Sequence, residues 1–236
     1  MHTPLLSLNH VGVAYRRRVG LFKREPFWAL RDVNFDLFNG ETLGIIGRNG
    51  VGKSTVLQII AGMIEPDVGV IKRFQPAIAS LLTLQVGFIN HLSGRDNAIL
   101  SGLMMGLSKQ RIVECIDNII DFSELGNAID QPVYTYSSGM RARLGFSVAI
   151  LAEPDILLID ETLGVGDIRF KEKSTAAIKQ RIQSDQTVVL VSHNGGLIRE
   201  LCNRVAWIEN GVSKAQGDSN LVLDEYNQFV NSKSSR

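Results

Sequence analysis

The chain has 236 residues, with 25 Lys and Arg against 24 Asp and Glu and a formal net charge of +1. That length buries a sizeable core without metal or disulfide staples. The even charge argues against a dedicated nucleic-acid binder, which carries a strong basic excess, and against a disordered charged chain. Hydrophobic residues make up 44%, but the most apolar window, residues 98–107, is too short for a membrane helix, which needs about 20 apolar residues. The N-terminus lacks a secretory pattern. Cys115 and Cys202 stand far apart in no CxxC pattern, which predicts two small buried thiols in a reducing compartment.

In chain order, residues 6–15 alternate and are rich in Leu, Val and Tyr, which predicts a strand. A basic stretch follows at residues 16–24, with five Arg or Lys, and reads as a solvated hairpin loop or as a contact for anionic lipid. Residues 28–37 predict a second strand ending at the Asn39-Gly40 turn, so the two make an antiparallel β unit. Residues 42–46 are a short apolar run, and residues 53–63 carry the helical spacing of Val56, Leu57, Ile60 and Ala61, with Gly62 near the end. From Leu92 to about Ala152 the pattern is helical. Ser93-Gly94-Arg95-Asp96 has the form of a helix start, and Ile112, Ile116, Ile119 and Ile120 make an apolar stripe expected in the core. Residues 155–160 and 187–191 are continuous apolar runs separated by helix-forming sequence, as in a parallel sheet covered on both faces. Residues 205–215 read as a hairpin turning at Asn210-Gly211, residues 221–230 as a last amphipathic helix, and residues 232–236 as a frayed tail.

Gly47-Arg48-Asn49-Gly50-Val51-Gly52-Lys53-Ser54 fits G-x-x-x-x-G-K-[ST] between a strand and a helix. Glycines let the backbone wrap phosphate closely, their N–H groups form an anion nest, and the helix adds its positive end. Lys53 then reaches the β- and γ-phosphates, Ser54 holds Mg²⁺, and Thr55 completes the nucleotide-contacting loop. Asp160 ends a buried strand, the expected place for a second Mg²⁺-directing acid. Glu161 follows directly and can polarise an attacking water as general base. In Tyr136-Ser137-Ser138-Gly139-Met140, small polar residues open a helix, either as a plain cap or as a second phosphate receptor. His193 follows the 187–191 strand, where open α/β sheets bind ligands.

In this order, these four features resemble the nucleotide-binding subunit of ATP-binding cassette (ABC) proteins over essentially the whole chain. The signature variant Tyr136-Ser137-Ser138-Gly139-Met140, the run Leu92-Ser93-Gly94-Arg95-Asp96-Asn97 and residues 160–167 are similar to the polysaccharide-exporter subgroup. The resemblance implies an α/β fold: a P-loop NTPase core with a mostly parallel sheet, an N-terminal antiparallel β subdomain and an inserted helical lobe. It places the core at residues 1–91 and 153–218, the lobe at 92–152, and a C-terminal helix and tail at 219–236. It also implies an ATPase whose catalytic residues are Glu161, His193 (as γ-phosphate sensor) and Lys53. ATP would be held by residues 47–55 and Mg²⁺ by Ser54 and Asp160. Tyr15 would stack on adenine, with Trp28 as the alternative, and either also suits the core.

The implied assembly is a head-to-tail homodimer in which Ser137, Ser138 and Gly139 meet the nucleotide of the other subunit and Asp167 lies near the seam. The implied partners are two copies of a polytopic membrane permease, without nucleic acid. The implied cargo is a lipid-linked polysaccharide, O-antigen before capsule or teichoic acid, handled at the cytoplasmic face of the inner membrane. Residues 98–107 would line the permease groove or simply fill the lobe. One departure is that Ile89 falls where many cassettes carry a coupling Gln, with Gln85 and Asn90 nearby. From the short sequence after Gly217, no carbohydrate-binding domain is expected. A soluble cassette ATPase acting on ribosomes or DNA is the alternative from another class, and a kinase or GTPase leaves the signature and His193 unexplained.

Overall fold

The computed structural model describes residues 3–19, 23–82, 87–151, 154–160 and 167–234. In chain order the strands are β1 (Leu6–Val19), β2 (Lys23–Leu37), β3 (Thr42–Ile46), β4 (Val68–Arg73), β5 (Ala79–Leu81), β6 (Ile156–Asp160), β7 (Thr187–Val191), β8 (Arg204–Glu209) and β9 (Val212–Asp218). The helices are α1 (Lys53–Ile60), α2 (Gly94–Met104), α3 (Lys109–Ser123), α4 (Ser138–Leu151), α5 (Ile168–Gln183), α6 (Gly195–Leu201) and α7 (Ser219–Ser234). The strands join one sheet in the order β4-β1-β2-β9-β8-β3-β7-β6-β5. From β8 to β5 every pairing is parallel, whereas β4, β1 and β2 pair antiparallel at the N-terminal end.

The parallel strands are apolar throughout because helices cover both faces. Side chains alternate across a strand, so Leu43, Ile45, Leu158, Val189 and Val191 face a core closed by Val56, Leu57, Ile59 and Ile60 of α1. Ile46, Leu157, Ile159, Val188 and Leu190 face the other core, with Phe146 of α4, Phe170 of α5, Ile198 of α6 and Leu223 of α7. Helices α2 to α4 gather a third cluster around Ala98, Ile119, Val133, Leu144 and Val148. Ile112 is fully buried, and Ile116 and Ile120 pack partly buried against that third cluster. Ser93 caps α2 by accepting the Asp96 N–H at 3.0 Å, as the sequence predicts. Among the described residues no helix is long and apolar enough to cross a membrane.

Three local expectations change. The basic stretch is mostly strand rather than loop, with Arg16 opposite Pro26, Arg17 opposite Glu25, Arg18 opposite Arg24 and Val19 opposite Lys23. A two-stranded ribbon satisfies its backbone groups by pairing, and Arg16, Arg17 and Glu25 are exposed, so their charge does not oppose it; residues 20–22 lie outside the described residues. Strands β4 and β5 are additional: β4 is an exposed edge strand and β5 has three residues, so neither has a strong apolar pattern. Helix α7 continues to Ser234, so residues 232–234 extend the helix instead of fraying.

Candidate nucleotide site

The site assembles at the C-terminal ends of the neighbouring strands β3, β7 and β6, where open α/β sheets bind ligands. The glycine-rich loop leaves β3 and turns into α1. Gly47 (φ +150°) passes against the Ile208 carbonyl oxygen, and Gly52 (φ +101°) passes against Leu30 and the Ala29 carbonyl. A side chain at either position would collide with backbone oxygen. Gly52 is also the N-cap of α1 and offers no side-chain acceptor, so the first N–H groups of the helix are left for another acceptor. Lys53 is 6% exposed, and its ammonium donates to the carbonyls of Gly47 at 2.8 Å and Arg48 at 2.9 Å.

Beside the loop a cavity of about 400 Å³ is lined by Tyr15, Phe27, Ala29, Asn49, Gly50, Gly52, Lys53, Ser54 and Thr55. Its size suits a nucleotide-sized ligand. Ser54 is exposed to it, and the Tyr15 hydroxyl lies 3.5 Å from both Thr55 Oγ1 and Gln58 Oε1. The hairpin register pairs Tyr15 with Phe27 and Ala14 with Trp28. Directly opposed residues share a face of the ribbon, so Tyr15 and Phe27 overhang the loop together. Trp28 lines a neighbouring groove of about 750 Å³ with Phe27, Arg31, loop residues 48–51 and Asn210, and does not line the cavity that holds Lys53 and Ser54.

Asp160 ends β6 opposite Val191 of β7. His193, just beyond β7, lines a small cavity of about 60 Å³ with Gly47, Ser192 and Tyr226, so it lies on the Gly47 side of the loop. Glu161 lies outside the described residues, as does Gln85. Asp167 caps α5 by accepting the Phe170 N–H at 2.9 Å. Among the described residues no three His, Cys, Asp or Glu side chains gather to hold a metal. A lone carboxylate with a serine hydroxyl suits Mg²⁺, which takes its remaining ligands from substrate phosphates and water.

Ser137 and Ser138 are exposed at the start of α4, where Ser137 Oγ accepts the Met140 N–H at 3.2 Å. They and Gly139 line neither cavity beside the phosphate loop. Tyr136, by contrast, is a core residue whose hydroxyl donates to the Ala128 carbonyl at 2.6 Å, and burial raises its pKa.

A family model described as ABC transporter matches residues 30–164. The chain belongs to the ABC transporter family. ATP is the nucleotide such a cassette binds. The O-antigen export system ATP-binding protein RfbB of Klebsiella pneumoniae is 42% identical, over 98% of this chain and 100% of its own length. The teichoic acids export ATP-binding protein TagH of Lactococcus lactis is 46% identical over 87% of this chain, and that of Listeria innocua 42% over 88%. The chain spans only 44% and 62% of those two TagH proteins. Among solved structures, a dimeric ATP-binding cassette in a post-hydrolysis state with ADP and Pi has the same fold, with a TM-score of 0.69 at 23% identity, covering 91% of this chain and 98% of that one. An ATP-binding subunit of an ABC transporter has a TM-score of 0.73 at 21% identity, covering 94% and 93%.

Two residues of this ABC cassette escaped the sequence reading. Phe27 joins Tyr15 at the cavity, which only the hairpin register reveals. Glu209, 1% exposed at the end of β8, pairs with Arg48 of the phosphate loop; an acid closing a buried apolar strand was the available signal.

Proposed function

We propose that this chain is the ATP-hydrolysing subunit of an exporter that moves lipid-linked polysaccharide across the inner membrane from its cytoplasmic face. The observation that carries the reading is the meeting of the phosphate loop, Asp160 and His193 at adjacent strand ends. The loop glycines and the α1 N-terminus receive the phosphates, Lys53 neutralises their charge, and Tyr15 stacks on the adenine. Ser54 and Asp160 hold Mg²⁺, which when bound offsets phosphate charge. Glu161, next to Asp160, is the general base and His193 senses the γ-phosphate. The exposed serines of α4 lie apart from the chain's own phosphate loop cavities, which favours a head-to-tail homodimer whose signature residues complete the site of the other subunit.

On this reading residues 1–91 and 153–218 form the nucleotide core and residues 219–236 a C-terminal helix and tail. Residues 92–152 form the lobe that docks one of two permease subunits. Leu103 and Met104 are 43% and 60% exposed, unlike fully buried Ala98, and are the docking side chains of α2. O-antigen is the first cargo because the RfbB relative aligns over its whole length; teichoic acid is the second, favoured by the 46% identity to TagH.

The test is Glu161→Gln in the chain reconstituted with its permease. ATP binding should persist while turnover falls by about 100-fold or more, the usual scale for loss of a general base. Undiminished hydrolysis refutes the assignment. Restoration of O-antigen export, and not of teichoic acid export, in the respective export-deficient cells decides the cargo.

A further inference from the structure

Arg48 is the first of the variable positions in the phosphate loop, and the motif does not specify its identity. Its guanidinium nevertheless closes an ion pair with Glu209, the last residue of β8. The two ends differ sharply: the Glu209 side chain is 1% exposed and that of Arg48 45%. The second carboxylate oxygen of Glu209 has no hydrogen-bond partner among the described residues, so Arg48 is its cation there. Helix α7 covers this end of the sheet. Tyr226 and Phe229 pack edge-on to Trp207, with ring centroids 5.5 and 5.0 Å away, and Trp207 lies two residues before Glu209 on the same strand. A carboxylate buried this way is costly unless it is paired. The end of β8 therefore demands a cation, and the loop supplies it.

The same residue also serves the lysine. The Arg48 carbonyl accepts the Lys53 ammonium at 2.9 Å, beside the Gly47 carbonyl at 2.8 Å. Arg48 is thus tied by its side chain to the sheet and by its backbone to the phosphate-binding lysine. We propose that the Arg48 and Glu209 pair is a positioning clamp, which holds the first half of the phosphate loop, and with it Lys53, in the geometry that receives nucleotide phosphate. This rests on the ATP-binding reading above. In this role Glu209 is a positioning residue that touches no substrate, and α7 contributes by keeping the carboxylate dry.

The clamp predicts an asymmetric response. Glu209→Gln keeps the shape but weakens the tie, and the exposed Arg48 side chain simply hydrates. Arg48→Met strands a buried carboxylate under the loop and disturbs it more. The double variant removes the stranded charge and is milder than Arg48→Met alone. Arg48→Lys keeps a cation beside Glu209 and recovers most of the affinity that Arg48→Met loses.

The experiment is calorimetric titration of the full-length chain and these four variants with ATP and Mg²⁺, recording both Kd and the number of sites per chain. For wild type, one site per chain is expected. Glu209→Gln should raise Kd by about 3- to 10-fold and Arg48→Met by about 30-fold, with the double variant near Glu209→Gln, since each tenfold is only 1.4 kcal/mol. The site number should hold throughout. A merely structural pair would lower the number of sites and leave Kd alone, which overturns the clamp. Tighter ATP binding by Glu209→Gln would also overturn it, because Arg48 would then be a phosphate ligand restrained by the acid. Additive single effects, or Kd unchanged in every variant, refute the clamp and leave the ATPase reading intact. A wild-type chain that binds no ATP removes the ATPase reading, and the clamp with it.

Discussion

Asn97 makes a stability prediction that can be worked from its contacts. It is fully buried near the start of α2. Its Oδ1 accepts the Ile89 N–H at 2.7 Å, and its Nδ2 donates to the carbonyls of Ile89, Leu92 and Ser93 at 3.0, 3.1 and 2.8 Å. Asn97→Ala removes all four bonds, but the three carbonyls keep other donors. Leu92 N–H reaches the Ile89 carbonyl, Val133 N–H that of Leu92, and Asn97 N–H that of Ser93. The Ile89 N–H is therefore the group left without a partner, and an orphaned donor costs about 1–3 kcal/mol. For a chain of this size each kcal/mol lowers Tm by about 2–4 °C, so a fall of about 2–12 °C is expected. Asn97→Asp should be at least as damaging, because it keeps the acceptor but turns a buried charge toward three carbonyl oxygens. Circular dichroism melts measure both, and ATP affinity should be unchanged because Asn97 does not line the nucleotide cavity. A Tm change smaller than about 2 °C for Asn97→Ala would show that the amide is not what ties residues 89–93 to the lobe.

Three further outcomes are expected. Tyr15→Ala should weaken ATP binding by about tenfold, the scale of one base–aromatic stack, while Trp28→Ala stays within about twofold; the reverse ranking refutes the placement of the adenine. Burial pushes the Cys202 thiol up to about 12, so the unreactive protonated form prevails until the pH approaches that value. Iodoacetamide at pH near 8 should accordingly label half-buried Cys115 first in the native chain, and equal labelling by mass spectrometry counts against a closed core at Cys202. Leu103→Asp and Met104→Asp should abolish co-purification with the permease while leaving ATP binding intact, and retained co-purification removes α2 from the docking surface.

The phosphate loop is legible because its chemistry fixes residue types at fixed spacing within a single turn. Strands β3, β6 and β7 are legible because burial on both faces leaves an unbroken apolar run. Strand β4 is not, since five of its six residues are exposed and it exists by pairing with the distant β1. That Tyr15 and not Trp28 lines the cavity with Lys53 is equally hidden. The β1–β2 ladder shifts register between Leu8 and Val11, between Val11 and Val13, and between Val13 and Ala14, and His10 has φ +52°. Such irregularities re-aim the side chains that follow, so alternation counted along the sequence cannot say which aromatic faces the Lys53 side of the loop.

Glu209 marks a different kind of limit. Val205 and Trp207 face one core and Ala206 and Ile208 the other, so both faces of β8 are buried. An acid that closes such a strand is legible as a group in need of a partner. Which of the 25 Lys and Arg side chains answers it is not legible, because the answer depends on a loop that approaches from β3, the strand next door. The residue that answers is Arg48, whose carbonyl already holds Lys53. A side chain left free by the phosphate-loop motif is therefore fixed by a tertiary requirement, and a motif scan that treats this position as variable discards the contact between the loop and the sheet behind it.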